Sequence, residues 1–309
     1  MAFTCIEICS GAGGQSLGIE EAGFEHLALV DDDPDCCATL RINRPGWNVI
    51  QKDVREFTVG DFSPVDLFAG GVPCPPFSVA GKQLGCDDER DLFPQAIRLI
   101  QECRPRAIML ENVRGFLDAS FAAYRTNLFY SLESMGYRVH WKLLNASHYN
   151  VPQLRPRVVI VGLHEDVKGV FQWPDPVHSP ELSVGNVLYD LMAINGWKGV
   201  DKWRDGATGV APTLVGGSKK HGGPDLGPTR AKQAWAGLGV NGHLISKDPP
   251  HADFEGMPML TVRMAARIQG FPDEWQFAGK KTSSYRQVGN AFPPPVASAV
   301  ARAIASCLS

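Results

Sequence analysis

No Cys-x-x-Cys pair occurs in this 309-residue sequence, and its eight cysteines (5, 9, 36, 37, 74, 86, 103 and 307) have no histidines at matching spacing. Neither a metal site nor a disulfide framework is therefore expected, and reduced thiols inside a cell are. Also missing are an apolar run long enough to span a bilayer and a basic-then-apolar leader, so no membrane association and a cytoplasmic location are expected. An excess of positive charge is lacking too. The formal net charge is −3, which at first sight argues against a nucleic-acid partner.

The distribution of charge changes that view. Residues 1–150 carry 13 Lys and Arg against 20 Asp and Glu, a balance of −7, whereas 151–232 (10 against 8) and 233–309 (7 against 5) each stand at +2. A local basic surface can face a polyanion on an acidic protein, because phosphate contacts act within a Debye length, about 8 Å at physiological salt. Hydrophobic content of 44% and charged content of 20% are ordinary for a globular enzyme, and the length suffices for a proper core.

What is present is a recurrent strand-turn-helix pattern. Residues 3–9 read as a buried strand, Ser10-Gly11-Ala12-Gly13-Gly14 as a tight turn, 15–22 as a helix, and 26–30 as a second strand ending in Asp31-Asp32-Asp33. That order is a nucleotide-binding βαβ unit. A dinucleotide would call for glycine at position 16, which is Ser16, so a ligand without a pyrophosphate fits better. Strands continue to alternate with helices to about residue 165, which predicts a mostly parallel sheet. Residues 173–258 are rich in Gly, Pro and Trp with little periodicity and read as a separate small domain with long loops. A final amphipathic helix is expected over 296–308.

One stretch stands apart. Val65-Asp66-Leu67-Phe68-Ala69-Gly70-Gly71-Val72-Pro73-Cys74-Pro75-Pro76-Phe77-Ser78 is a short strand that breaks at two glycines and delivers one cysteine between prolines. The prolines stiffen the corner that presents the thiol, at a strand end where α/β proteins keep their chemistry. It is followed by Leu110-Glu111-Asn112-Val113, Gln153-Leu154-Arg155-Pro156-Arg157, Arg267-Ile268-Gln269-Gly270-Phe271-Pro272 and Gln287-Val288-Gly289-Asn290-Ala291. With the glycine turn, these six blocks in this order closely resemble the cytosine-C5 DNA methyltransferases of the single-chain prokaryotic type. The resemblance runs from about residue 4 to about residue 305, weakly over the middle.

The resemblance implies an α/β fold: a Rossmann-like, S-adenosylmethionine-dependent methyltransferase sheet with a smaller, loop-rich target-recognition domain. It divides the chain into 1–172 plus 285–309 for catalysis and cofactor, and 173–284 for recognition. It implies S-adenosylmethionine as cofactor and S-adenosylhomocysteine as product, held by Glu7, Ser10, Gly11, Ala12, Gly13, Gly14, Asp31, Asp32, Asp53, Val54, Pro73, Leu92, Asn290 and Ala291. Two departures stand out: Glu7-Ile8-Cys9 replaces the family's Asp-Leu-Phe, which removes the Phe that packs on the adenine, and Asp31 replaces a Glu.

C5 of cytosine is not nucleophilic in the aromatic ring. A thiolate added at C6 gives C5 enamine character, and Cys74 is the cysteine with a suitable setting. Glu111 is the candidate carboxyl group for N3 and the exocyclic amine, and needs partial burial to hold a proton. Arg157, first, and Arg155 would support it, both brought to one face by strand alternation; Asn112 would organise the loop of Cys74. Base flipping follows, with residues 74–90 closing over the cytosine. Ser78, Lys82 and Gln83 on that loop, Lys219, Lys220 and Arg230 in the glycine- and lysine-rich stretch 213–223, and Arg263 are the expected DNA contacts. The expected partners are double-stranded DNA and, acting separately, a cognate restriction endonuclease, for a monomeric protein. An RNA-directed enzyme of the same fold, a silent DNA-binding relative and a nicotinamide oxidoreductase are the competing readings.

Overall fold

The computed structural model describes residues 2–60, 62, 64–73, 91–177, 182–217 and 223–309. Cys74, Ser78, Lys82, Gln83, Lys219 and Lys220, and the expected closing loop, lie outside the described residues.

The buried run β1 (Phe3–Ile8) leads into a turn in which Gly11 and Gly13 take φ of +53° and +85°, where a side chain would clash with its own backbone. α1 (Gly14–Glu21) and β2 (Phe24–Asp31) complete the unit. The acids after β2 then act locally: Asp33 accepts from the Asp35 amide at 2.9 Å and caps α2 (Pro34–Asn43), whose first-turn proline loses no needed donor. β3 (Val49–Gln51) and β4 (Leu67–Gly70) follow. α3 (Phe93–Cys103) buries Phe93, Ala96, Leu99, Ile100 and Cys103 along one stripe and stops at Arg104, before Pro105. β5 (Ala107–Val113), α4 (Ala122–Ser134), β6 (Tyr137–Asn145), β7 (Gln153–Leu154) and β8 (Pro156–His164) come next.

Seven of these strands form one sheet in the order β3-β2-β1-β4-β5-β8-β6. β1, β2, β3, β4 and β5 are parallel to their neighbours in that set, and β8 runs antiparallel to β5. Its core includes Ile6, Ile8, Val30, Phe68, Ile108, Leu110, Phe116 and Ile160, all essentially without solvent contact. Each such side chain contributes about 1.5–3 kcal/mol by leaving water.

The stretch expected to be loop-rich holds more regular structure than its periodicity suggested. α5 (Val184–Ala193), α6 (Val200–Gly206) and α7 (Thr229–Ala236) lie within it, and β9 (Ala211–Pro212) pairs with β7. These helices are two or three turns long, and α6 and α7 are each anchored by one buried tryptophan (Trp203, Trp235). So few turns leave little repeat to detect. α8 (Val262–Gln269), α9 (Lys281–Asn290) and α10 (Pro294–Leu308) end the chain. By composition, 281–308 passes as a membrane span, but 67% of its apolar window is buried, as in a core helix, and the helix breaks at 291–293.

The chain forms two compact units: Met1–Leu144, Pro156–Pro174 and Ala297–Ser309 make the first, and Asn145–Arg155 with Asp175–Val296 the second. Residues 145–155 and 285–296 thus leave the catalytic division expected above. The reason is a buried polar network. The Arg155 guanidinium donates to the carbonyls of Leu214 (2.7 Å), Gly289 (2.7 Å) and Ala291 (3.0 Å). Gln153 Nε2 reaches Gln269 Oε1 at 2.7 Å. In the first unit, Arg106 donates to the Leu308 carbonyl at 2.7 Å, and an added Cβ on Gly169 would meet Cys307 Cα at 2.5 Å, so α10 is packed directly on the sheet unit.

Candidate active site

Three strand ends meet at the carboxyl edge of the sheet. The register places Ile8 beside Gly70 and Gly70 beside Leu110, so Cys9 and Gly71 leave their strands next to Glu111, which stands near the end of β5. A Cβ on Gly71 would stand 3.5 Å from Glu111 Oε2 and 3.8 Å from the Cys9 carbonyl. The order of strands also reverses between β1 and β4, which opens a crevice at this edge in doubly wound sheets. Asn112 Nδ2 donates to the Val72 carbonyl at 2.9 Å and so fixes the run that leads to Cys74. The chain re-enters at Leu92, whose amide lies 3.5 Å from the Pro73 carbonyl. Beside it the Tyr124 hydroxyl donates to the buried Asp91 carboxylate at 2.7–2.8 Å.

Glu111 is buried and its Oε1 pairs with Arg157 Nε at 2.8 Å, both side chains only about a tenth exposed. Burial lowers the Arg157 pKa, and the Glu111 carboxylate opposes that. Arg157 stands where β8 begins, and the antiparallel pairing Val113↔Arg157 is what brings it to this edge. Arg155 does not share its face. β8 starts at Pro156, the residue before it is outside the alternation, and the Arg155 side chain, fully buried, belongs to the carbonyl cage of the second unit.

Across the crevice, Asp31 Oδ2 accepts from the Gly11 amide at 2.8 Å and Oδ1 from the Asp33 amide at 2.9 Å, which locks the glycine turn to the end of β2. Burial raises the Asp31 pKa against the lowering effect of those two bonds. Ser10 turns inward to the carbonyls of Glu7 and Val30 (3.2 and 3.3 Å), and Ala12, Gly13 and Gly14 are buried behind Gly11. Asp32 is exposed, Val54 is buried, and Asp53 accepts from the Arg55 amide and guanidinium, each at 2.8 Å. Nothing lies within 4 Å of where a Cβ on Gly11 would be, so the turn borders open space.

Residues 3–306 match the family of C-5 cytosine-specific DNA methylases. The chain belongs to that family. Among its relatives, the Type II methyltransferase M.NgoMIV of Neisseria gonorrhoeae is 53% identical over 100% of this chain and 99% of its own length. M.NaeI of Lentzea aerocolonigenes is also 53% identical, over 98% of this chain and 75% of its own. The crystal structure of a prophage-encoded protein from E. coli, described as a DNA modification methyltransferase, superposes with a TM-score of 0.71 at 26% identity, covering 99% of each chain. Spodoptera frugiperda DNMT2 (TM-score 0.70, 17% identity, 98% and 99% covered) shares the fold.

Enzymes of the C-5 cytosine methylase family take their methyl group from S-adenosylmethionine. The residues around the glycine turn fit that group. Gly11 leaves room for it, Asp31 offers a carboxylate at the crevice, and the buried side-chain amide of Gln15, in the first turn of α1, has no hydrogen-bond partner. Unsatisfied groups of this kind in a native fold point to water or ligand. Sequence reasoning passed over Gln15, and took Ser16 only as a missing glycine.

Burial pushes the Glu7 carboxyl from 4.5 up to about 8, helped by the Asp31 charge. Below pH 4.5 the group is protonated in both folded and unfolded chains. Above it the unfolded chain ionises first, so stability falls as pH rises until the folded group also ionises near 8. Glu7→Gln removes this loss. Relative to the wild type it should gain about 2–5 kcal/mol more at pH 8.5 than at pH 4.5, read by urea unfolding. A difference that does not change with pH would show that Glu7 ionises normally.

In the second unit, Arg263 has partners within the fold. Its guanidinium donates to the carbonyls of Pro272, Asp273 and Trp275 and ties the loop after α8, and burial lowers its pKa. Arg267 likewise pairs with Asp190 and Asp273. Arg230 is exposed on α7. The exposed Asn290 directs its amide to the Gly217 carbonyl at 3.2 Å, and Ala291 offers its carbonyl to Arg155 and Gln269. Gln153 was part of a quoted motif, yet nothing short of the fold reveals that it accepts from the Leu214 amide.

Proposed function

We propose that this enzyme extrudes a cytosine from duplex DNA and methylates its C5 through Cys74. The observation that carries this is the meeting of three strand ends, in which Gly71 lies against Glu111 Oε2 while Arg157 holds Oε1. Cys74 follows three residues after Gly71 in sequence.

In the proposed reaction the Cys74 thiolate bonds to C6 of the flipped base, and electron density moves to C5. Glu111 hydrogen-bonds N3 and the exocyclic amine and neutralises the charge that develops there, while Arg157 fixes its orientation. S-adenosylmethionine, held by the glycine turn and Asp31, would supply the electrophilic methyl group that C5 takes up, with S-adenosylhomocysteine as the product. Loss of the C5 proton to a base and cleavage of the S–C6 bond then restore the aromatic ring and the free thiolate. Residues 74–90 cover the base during these steps, with Ser78, Lys82 and Gln83 meeting the DNA backbone.

Target recognition is assigned to residues 213–223 of the second unit, where glycines, hydroxyls, Lys219 and Lys220 suit close approach to a groove, with Arg230 nearby. The relatives named Type II methyltransferases support a role in protecting DNA from a separate cognate endonuclease; a cytoplasmic, monomeric enzyme is part of the same reading. Bisulfite sequencing of plasmid DNA from cells expressing the protein tests this. Cytosines protected at one short recurring sequence are expected, and no protected cytosine would overturn it.

A further inference from the structure

The short helix α7 sorts its residues into two stripes. Ala231 and Leu238, half-buried, share a side with Trp235, which has no solvent contact. Arg230, Gln233, Ala234 and Gly237 are exposed, at the i, i+3, i+4, i+7 spacing of a single helix face. Charge marks this face. No Asp or Glu occurs between Asp225 and Asp248, a stretch that holds Arg230, Lys232 and Lys247 in a chain of net charge −3. Arg204, Arg263 and Arg267 of the same unit are bound to carboxylates or carbonyls of the fold, whereas Arg230 has no hydrogen-bond or ion-pair partner among the described residues. Beside it, Ala234 and Gly237 are small enough to let another surface come close to the helix backbone.

The helix is held firmly from behind. Asp225 Oδ1 accepts from the Gly227 amide and Oδ2 pairs with Lys232 Nζ, each at 2.9 Å. The Leu226 amide donates to the Gly242 carbonyl at 2.9 Å, and the Val240 amide to the Trp235 carbonyl at 3.0 Å. Side chains on a helix fixed in this way are placed more precisely than side chains on a loop.

We propose that α7 enters the major groove of the DNA and reads the target there, with Arg230 on the edge of a guanine and Gln233 on the neighbouring base. This rests on cytosine methylation of duplex DNA with recognition in the second unit, as proposed above, and names two specificity-determining side chains for it. Duplex DNA is the occupant that fits. A polyanion is drawn to a basic, acid-free surface, and a groove about 12 Å wide admits a helix about 10–12 Å across. A guanidinium donates two parallel hydrogen bonds to guanine O6 and N7, and a glutamine amide offers one donor side and one acceptor to an adjoining base edge. Three residues of helix rise about 4.5 Å, near the spacing of about 3.4 Å between base pairs, so the two side chains fall on adjacent pairs.

The test compares Arg230→Ala and Gln233→Ala with the wild type. Bisulfite sequencing first gives the methylated site, and kcat/KM is then measured on duplexes carrying that site and each of its single-base-pair variants, at two salt concentrations. Both side chains are exposed, so thermal unfolding should not change and S-adenosylhomocysteine affinity should stay within about twofold. Arg230→Ala is expected to lower the preference for a G·C pair at one position by about tenfold, corresponding to about 1.4 kcal/mol, and to leave the other positions as they are. Gln233→Ala should do the same at the adjoining position. Equal slowing on every duplex, with a weaker dependence on salt, would make Arg230 a phosphate contact and overturn its role as a reader. Unchanged preference in one variant removes that residue, and in both removes α7. With a wild type that still methylates one recurring sequence, such a result leaves cytosine methylation standing; a wild type that protects no cytosine overturns that reading and α7 with it.

Discussion

Cys74→Ser is expected to reduce methyl transfer by about 10⁴–10⁶-fold, the loss that accompanies removal of a covalent nucleophile. A serine hydroxyl is far less ionised than a thiol near neutral pH, so it cannot add to C6 at a useful rate. DNA binding should persist, since the substitution removes no charge or volume that the duplex would contact. A fluorine at C5 separates catalyst from silent binder, because the adduct can then lose no proton from C5 and the S–C6 bond cannot break. DNA with 5-fluorocytosine at the target should form a denaturant-stable, cofactor-dependent complex with the wild type and none with Cys74→Ser. Wild-type turnover by Cys74→Ser, or a trapped peptide that contains another cysteine, would remove the assignment.

Arg157→Ala should cost both stability and activity. Its removal leaves the Glu111 carboxyl group buried without the cation 2.8 Å away. Stranding one member of a buried pair costs about 3–5 kcal/mol, which urea unfolding reads as a lower midpoint. Turnover should fall by about 10²–10⁴-fold with Glu111 no longer oriented. The double variant Arg157→Met, Glu111→Gln distinguishes the two losses. It should recover most of the stability, because no uncompensated charge remains, and recover none of the activity. A wild-type unfolding midpoint for Arg157→Ala would mean that the pair is not formed in solution.

The βαβ order, the mostly parallel sheet and the carboxyl-edge placement of Gly71, Glu111 and Asn112 were legible in the sequence. Each is written in a local signal: an apolar run, a glycine break, polar residues at the end of an apolar run. The partition of the two arginines was not legible. Arg155 and Arg157 are two residues apart, and alternation would pair them on one face, but the strand begins between them and each finds its partners in a different compact unit. Partners as distant in sequence as Leu214 and Gly289 leave no trace near residue 155. The partners of Arg263 were hidden for a similar reason: the carbonyls of 272–275 that its guanidinium meets leave no mark near residue 263. The helices of the second unit escaped because two or three turns do not establish a period.

The seat of α10 on the sheet unit bears on the order in which the protein is made. Residues 297–309 complete a unit whose other parts end at Pro174, and the whole of 175–296 is translated in between. A ribosome therefore exposes the sheet long before it delivers the helix that Arg106 and Gly169 grip. Until then the apolar face destined for α10 is open to other chains, the condition in which nascent proteins engage chaperones or aggregate. Contacts spanning two hundred residues are also the slow ones to form. Maturation of the cofactor-side unit is thus tied to the synthesis of residues 297–309 rather than to the emergence of its own sheet.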